Sequence, residues 1–216
     1  KTFLGRVYLV AAGKAAWQMA HAARACLQDN FCGGVVVTKY GHVNGEIADV
    51  ACFEGGHPVP DENSLRGTDA ALALTEDLTE SDTVVFLLSG GGSALFEKPL
   101  LPLAELQDVT NQLLAAGADI VEINTIRKRL SAVKGGRFAR HCAPAQVFAV
   151  VLSDILGDPL DMIASGPAYP DSSSCAQALD IAKRYGLRLS ERAWALLAQE
   201  MPRTLENVET QITGSV

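Results

Sequence analysis

Several things are scarce or missing in this sequence, and each absence removes a class of protein. No uncharged apolar run approaches the roughly 20 residues of a membrane helix; Val84–Leu88 and Val147–Leu152 are among the longest. No charged n-region, apolar h-region and cleavage site stands at the start, so export is not signalled. Cysteines number five (Cys26, Cys32, Cys52, Cys142, Cys175), an odd and scattered set without a CxxC pair. A disulfide framework or zinc ribbon is therefore not expected, and a reducing cytoplasm is the predicted location. The four histidines show no metal-ligand spacing, so no zinc site is expected. There is no basic excess either: 18 Lys and Arg face 25 Asp and Glu, a net charge of −7. Phosphate backbones are usually gripped by a basic face, so neither nucleic acid nor membrane is an expected partner. No initiating Met is present, and the closing Ile212-Thr-Gly-Ser-Val216 reads like a strand getting under way. A fragment of a longer protein is expected.

What is present is globular. The 216 residues are 48% hydrophobic and 20% charged, with 19 Gly and 9 Pro, and show no repeat or low-complexity linker. That composition excludes a disordered, collagenous or coiled-coil chain. A chain of this mass buries roughly 70% of its unfolded surface, enough for a core without staples. Apolar and β-branched runs at Arg6–Ala12, Gly33–Thr38, Val50–Glu54, Thr83–Leu88 and Gln146–Leu152 predict strands. Between and after them, helical patterns run over Ala15–Gln28, from an Asp61 or Ser64 cap to about Leu78, and over Pro102–Ala116 with Gly117 as C-cap. Others run over Asn124–Val133, Ser174–Tyr185 and Ser190–Gln199. Strands apolar on both faces and separated by helices predict an α/β fold. The expected architecture is Rossmann-like: a mainly parallel sheet with helices on both faces. In such folds ligands gather beyond the carboxyl ends of the strands.

Four strand-end or cationic segments carry the chemistry. After the first strand comes Gly13-Lys14-Ala15-Ala16. A lysine beside a helix N-terminus suits a phosphate or carboxylate, or is simply a surface lysine. Tyr8 and Ala15 stand where a Walker A loop needs Gly and Ser/Thr. After Thr83–Leu88 comes Ser89-Gly90-Gly91-Gly92-Ser93, either a tight turn or an anion cradle of backbone amides. Leu95 stands where a nucleophile elbow needs Gly, which argues against a serine hydrolase. After Gln146–Leu152 comes Ser153-Asp154, with Asp158 and Asp161 as weaker candidates. Asp154 can hold Mg²⁺, accept a hydroxyl proton, or merely cap a turn. Finally, Arg127, Lys128, Arg129, Lys134 and Arg137 fall within eleven positions. Helical spacing puts Asn124, Arg127, Ser131 and Lys134 on one stripe without i,i+4 carboxylates, and an anion-facing surface is expected there. His57, in a stiff Gly55–Asp61 loop, is either a ligand donor or a loop hydrogen bond. Ala164–Pro167, followed by Pro170-Asp171, is a second rigid turn, either ligand-facing or simply a connector.

Taken in order, AAGKAA (Ala11–Ala16), VVVTKYGH (Val35–His42), GGHPVPDENS (Gly55–Ser64), SGGGSAL (Ser89–Leu95), EINTIRKRLSAVKGGRFA (Glu122–Ala139) and LSDILGDPLDMIASGPAYPD (Leu152–Asp171) resemble the type-2 glycerate kinase family. Those are ATP-dependent kinases with an associated C-terminal MOFRL domain, and the matches span nearly the whole chain. The resemblance implies that residues 1–216 are a Rossmann-like N-terminal domain, with an N-terminal helical segment and the MOFRL domain outside the chain. It implies D-glycerate, ATP and Mg²⁺, with 2-phosphoglycerate as product and the active site between domains; a homodimer is compatible with it. The family's strand-end lysine falls on Lys14, its Gly-rich turn on Ser89–Ser93 and its Ser-Asp pair on Ser153 and Asp154, and the mechanism expected from these positions gives Lys14 the transferring phosphoryl group. Ser89, Gly90, Gly91, Gly92 and Ser93 cradle phosphates or the carboxylate. Asn124, Arg127, Lys128, Lys134, Gly135, Gly136 and His57 complete the anion site, and Asp154 holds the metal or orients the hydroxyl. Some family members are named hydroxypyruvate reductases. That NAD(P)H-dependent alternative lacks a GxGxxG followed by a ribose-binding acid. A non-catalytic small-anion-binding domain is the third reading.

Overall fold

The computed structural model describes residues 2–27, 29–153 and 160–213. Six strands run β1 (Val7–Ala12), β2 (Phe31–Lys39), β3 (Val50–Gly55), β4 (Thr83–Leu88), β5 (Gln146–Leu152) and β6 (Val208–Thr213). Every neighbouring pair is parallel, and the order across the sheet is β3-β2-β1-β4-β5-β6. The chain therefore reverses its direction of travel between β1 and β4. In a doubly wound sheet that reversal opens a crevice at the carboxyl ends of those two strands.

Eight helices accompany the sheet among the described residues: α1 (Ala16–Cys26), α2 (Glu62–Leu74), α3 (Gly92–Leu95), α4 (Leu103–Ala115), α5 (Ile120–Arg129), α6 (Arg137–His141), α7 (Cys175–Arg184) and α8 (Glu191–Leu197). Successive residues of β1 and β4 point to opposite faces. Val10, Ala12, Val84, Phe86 and Leu88 pack with Ala71 of α2, Leu95 of α3 and Phe138 of α6. Leu9, Ala11, Val85 and Leu87 pack with Ala16 and Ala20 of α1. Both faces of the central strands are thus covered, as their unbroken apolar pattern requires. The outer strand β5 differs from the fully buried strand expected. Val147, Ala149 and Val151 are buried, whereas Phe148, Val150 and Leu152 are only half-covered. A second core, separate from the sheet, is built by α4, α5, α7 and α8 around Leu106, Val109, Ile126, Ile181 and Leu197.

Local chemistry explains the boundaries. Asp61 caps α2 by accepting from the Ser64 amide, with Ser64 completing the capping box. That helix stops at Leu74, short of the expected Leu78: past the Thr75 cap the chain turns away at Asp77, which sits in the left-handed region at φ 53°. Asp119 and Glu122 form the corresponding box on α5. α5 also ends early, at Arg129 rather than Val133. Leu130 instead accepts from the Leu100 amide and Ala132 donates to Lys98. Three cations in the last turn suit the negative end of the helix. No helix among the described residues is long and apolar enough to cross a membrane.

Candidate functional site

β1 and β4 deliver two turns to the same place. Gly13 leaves β1 at φ 123°, and a Cβ there would lie 2.5 Å from the Ser89 carbonyl oxygen. Only glycine lets the two turns approach so closely. The turns are then stitched together: the Lys14 amide donates to the Gly90 carbonyl at 2.9 Å, and the Ala15 amide donates to Ser89 Oγ at 3.0 Å. Buried Ser89 thus anchors the start of α1, while Lys14 itself is exposed above it. From the β2 side, His42 Nδ1 lies 2.9 Å from the Lys14 carbonyl oxygen. Glu54 accepts from the His42 and Val43 amides, and the latter bond above all holds its carboxyl below the usual range.

Gly91 enters α3 in the left-handed region, φ 85°. A Cβ on Gly91 would sit 3.0 Å from His57 Nε2 and 3.2 Å from Lys14 Cε. Those distances bring the triple-glycine turn, His57 and Lys14 to one point. Partial burial, reinforced by Lys14 and Lys39, lowers the imidazole pKa of His57. The ring is therefore neutral at pH 7 and presents dipoles rather than charge.

The far wall is built from α5 and its continuation. Arg127 is half-buried; one guanidinium nitrogen donates to the Ser93 carbonyl at 3.3 Å, and Nε has no hydrogen-bond partner among the described residues. Lys134 also reaches that carbonyl, at 2.8 Å, and donates to Phe96 at 3.0 Å. It is completely buried, and its ammonium lies 3.3 Å from the equally buried Glu97 carboxylate. Burial pushes its pKa down to about 8 against the opposing pull of Glu97.

The expected cationic stripe is therefore not a single helical face. Because α5 ends at Arg129, Ser131 and Lys134 lie in the chain beyond it. Lys134 points inward and braces the underside of the glycine turn. Lys128 is also buried, 3.3 Å from Asp171 and 3.7 Å from Asp161. Arg129 pairs with Asp171 at 3.4 Å and binds Ser173. The carboxylates that neutralise these cations come from distant segments, which i,i+4 spacing does not reveal. Gly135 and Gly136 likewise serve the interior: their amides donate to the Ser165 and Gly166 carbonyls. Asn124 is buried and reaches the turn through Ser165. Asp154 and Asp158 lie outside the described residues, and Asp161 is engaged with Lys128. Sequence reasoning missed His42 and Glu97 as supporting residues and reached Ser165 only as part of the rigid Ala164–Pro167 turn. For Glu97 the one available signal is a carboxylate directly after the apolar Ala94-Leu95-Phe96.

The profile described as a domain of unknown function (DUF4147) matches residues 2–198. The chain belongs to the DUF4147 family. D-glycerate 2-kinase of Thermotoga maritima is 56% identical over 218 residues, covering 100% of this chain and 52% of that protein. A protein of Agrobacterium vitis, provisionally named a hydroxypyruvate reductase, is 43% identical over 94% of this chain and 47% of its own length. A crystal structure of glycerate kinase from Thermotoga maritima superposes with a TM-score of 0.94 at 56% identity, over 97% of this chain and 51% of that one. DUF4147 membership and this likeness establish the α/β fold and the resemblance to the glycerate kinases. The chain spans about half the length of the curated relatives it matches.

Proposed function

We propose that this DUF4147 chain is the Rossmann-like N-terminal domain of a glycerate kinase, which transfers the γ-phosphoryl group of ATP to the C2 hydroxyl of D-glycerate. A C-terminal MOFRL domain would complete the cleft, and the enzyme would work in the cytoplasm. The observation that carries the reading is the meeting of Lys14, His57 and Gly91 at the crevice between β1 and β4. The names of its relatives from Thermotoga maritima support it.

Phosphoryl transfer asks for alignment and charge neutralisation more than for covalent chemistry. Lys14, exposed on a turn tied to the Ser89–Gly90 backbone, supplies a mobile positive charge to the transferring group. Neutral His57 offers a hydrogen bond beside it without adding repulsion. Ser89–Ser93 would bring backbone close to an anion, and half-buried Arg127, held at the Ser93 carbonyl, would add positive charge beside the turn. No cluster of three His, Cys, Asp or Glu side chains able to hold a metal occurs among the described residues. They do not build a resident magnesium cage. Magnesium would come with the nucleotide, and Asp154, outside the described residues, is the residue proposed to contact it.

A dinucleotide-dependent reductase fits less well. The β1 turn, Gly13-Lys14-Ala15-Ala16, places a lysine and alanines where a pyrophosphate needs glycines. The deciding experiment is ADP release by the full-length protein with D-glycerate, followed by phosphorus NMR of the product. Phosphate on C2 is expected. NADH oxidation with hydroxypyruvate and no ADP release would overturn the assignment.

A further inference from the structure

Two adjacent non-glycine residues beside the glycine turn adopt left-handed backbone: Ala164 at φ 53° and Ser165 at φ 61°. Each such residue costs on the order of 1–3 kcal/mol and persists only where its surroundings over-determine it. Here they do. The Gly135 and Gly136 amides hold the Ser165 and Gly166 carbonyls at 3.0 and 2.8 Å. Ala164 packs so tightly on Gly92 that a Cβ there would lie 2.6 Å from its own Cβ.

The hydroxyl of Ser165 is completely buried and makes two hydrogen bonds, to Ser93 Oγ at 3.0 Å and to Asn124 Oδ1 at 3.2 Å. The Asn124 amide is assigned with its nitrogen toward Met162 Sδ, at 3.5 Å, and its oxygen toward Ser165, the orientation in which both ends are bonded. An amide oxygen only accepts, so the single Ser165 proton goes to Asn124. The Ser93 hydroxyl must then donate to Ser165. The relay has one direction, Ser93 to Ser165 to Asn124, and it leaves the outward lone pairs of Ser93 as acceptors only.

We propose that Ser165 is a positioning residue for the phosphoryl transfer: its hydroxyl fixes the rotamer and proton of Ser93, and so sets the triple-glycine turn against Lys14. Being fully buried, Ser165 touches no substrate and acts through Ser93. The inference rests on the kinase reading.

The test is a double-mutant cycle in the full-length protein with D-glycerate and ATP, using Ser93→Ala and Ser165→Gly. Glycine removes the hydroxyl while tolerating the left-handed backbone, so the variant folds; thermal melting checks this. Each single variant is expected to lower kcat by about 10- to 100-fold, the scale of a misplaced reacting group, with KM unchanged. The double variant should be no slower than Ser93→Ala alone. Multiplied losses, or undiminished kcat in Ser165→Gly, would overturn the relay. Ser165→Ala keeps the strain and loses only the hydroxyl. Its kcat should match Ser165→Gly, and wild-type kcat in it would also overturn the relay. A wild type without ADP release would instead overturn the kinase reading, and this role with it.

Discussion

Lys14 and Lys134 are both lysines of the same neighbourhood, yet their surroundings give them opposite tasks. Lys14 is exposed at the crevice, free to follow a moving charge. Removing one preorganised charge from a transition state costs about 2.7–4 kcal/mol. Lys14→Ala in the full-length protein should therefore lower kcat at least ~100-fold with the melting temperature unchanged, as a coupled ADP assay and calorimetry will register. Lys134 is sealed beside Glu97. Lys134→Met strands a buried carboxylate, and the expected loss is about 3–5 kcal/mol of stability. Adding Glu97→Leu should recover most of it in urea denaturation, because the stranded charge goes too. The lysine's lowered pKa, about 8, also has a sign. Between that value and its ordinary ~10.4 the unfolded chain binds more protons than the folded one. Its contribution to stability rises with pH in that window. The rise should vanish from the Lys134→Met/Glu97→Leu variant when the two unfolding curves are subtracted.

Among the elements, the strand ends decide most. Gly13→Ala would force a Cβ onto the Ser89 carbonyl and a side chain into φ 123°. The β1 and β4 turns would separate, and thermal melting should record a loss of about 1–3 kcal/mol together with the loss of ADP release. β4 and β5 were legible to the residue, because Thr83–Leu88 and Gln146–Leu152 are apolar runs bounded by turn residues. The glycine turn was legible as a place because three glycines after a buried strand demand a tight approach. α5 was only half legible. Its start, at Ile120 rather than the expected Asn124, is marked by the Asp119/Glu122 capping-box spacing that the reading passed over, and its end is set by pairing with Lys98 and Leu100, which periodicity does not register. The cationic cluster was misread as a surface for the same reason: its counter-charges, Glu97 and Asp171, lie 37 and 42 residues from Lys134 and Arg129.

Across the whole molecule, the two rims of the sheet have separate duties. At the amino-terminal rim, Arg6 grips Asp82 through two hydrogen bonds of 2.9 and 2.7 Å, and Thr79 donates to the same carboxylate. That clasp, led by the Arg6 bond, holds the Asp82 carboxyl down to about 2. Stability from it is complete above the ordinary aspartate pKa and is lost as pH falls toward 2. Asp82→Asn should unfold at a higher pH than the wild type in an acid titration followed by circular dichroism, while kcat at neutral pH stays unchanged.

A parallel sheet has polarity, as a brush has bristles and a back. Here all six strands aim their carboxyl ends the same way. Dyes, surface tethers and affinity handles therefore belong on the back, near Glu80 or Arg140, where attaching them leaves the working side untouched.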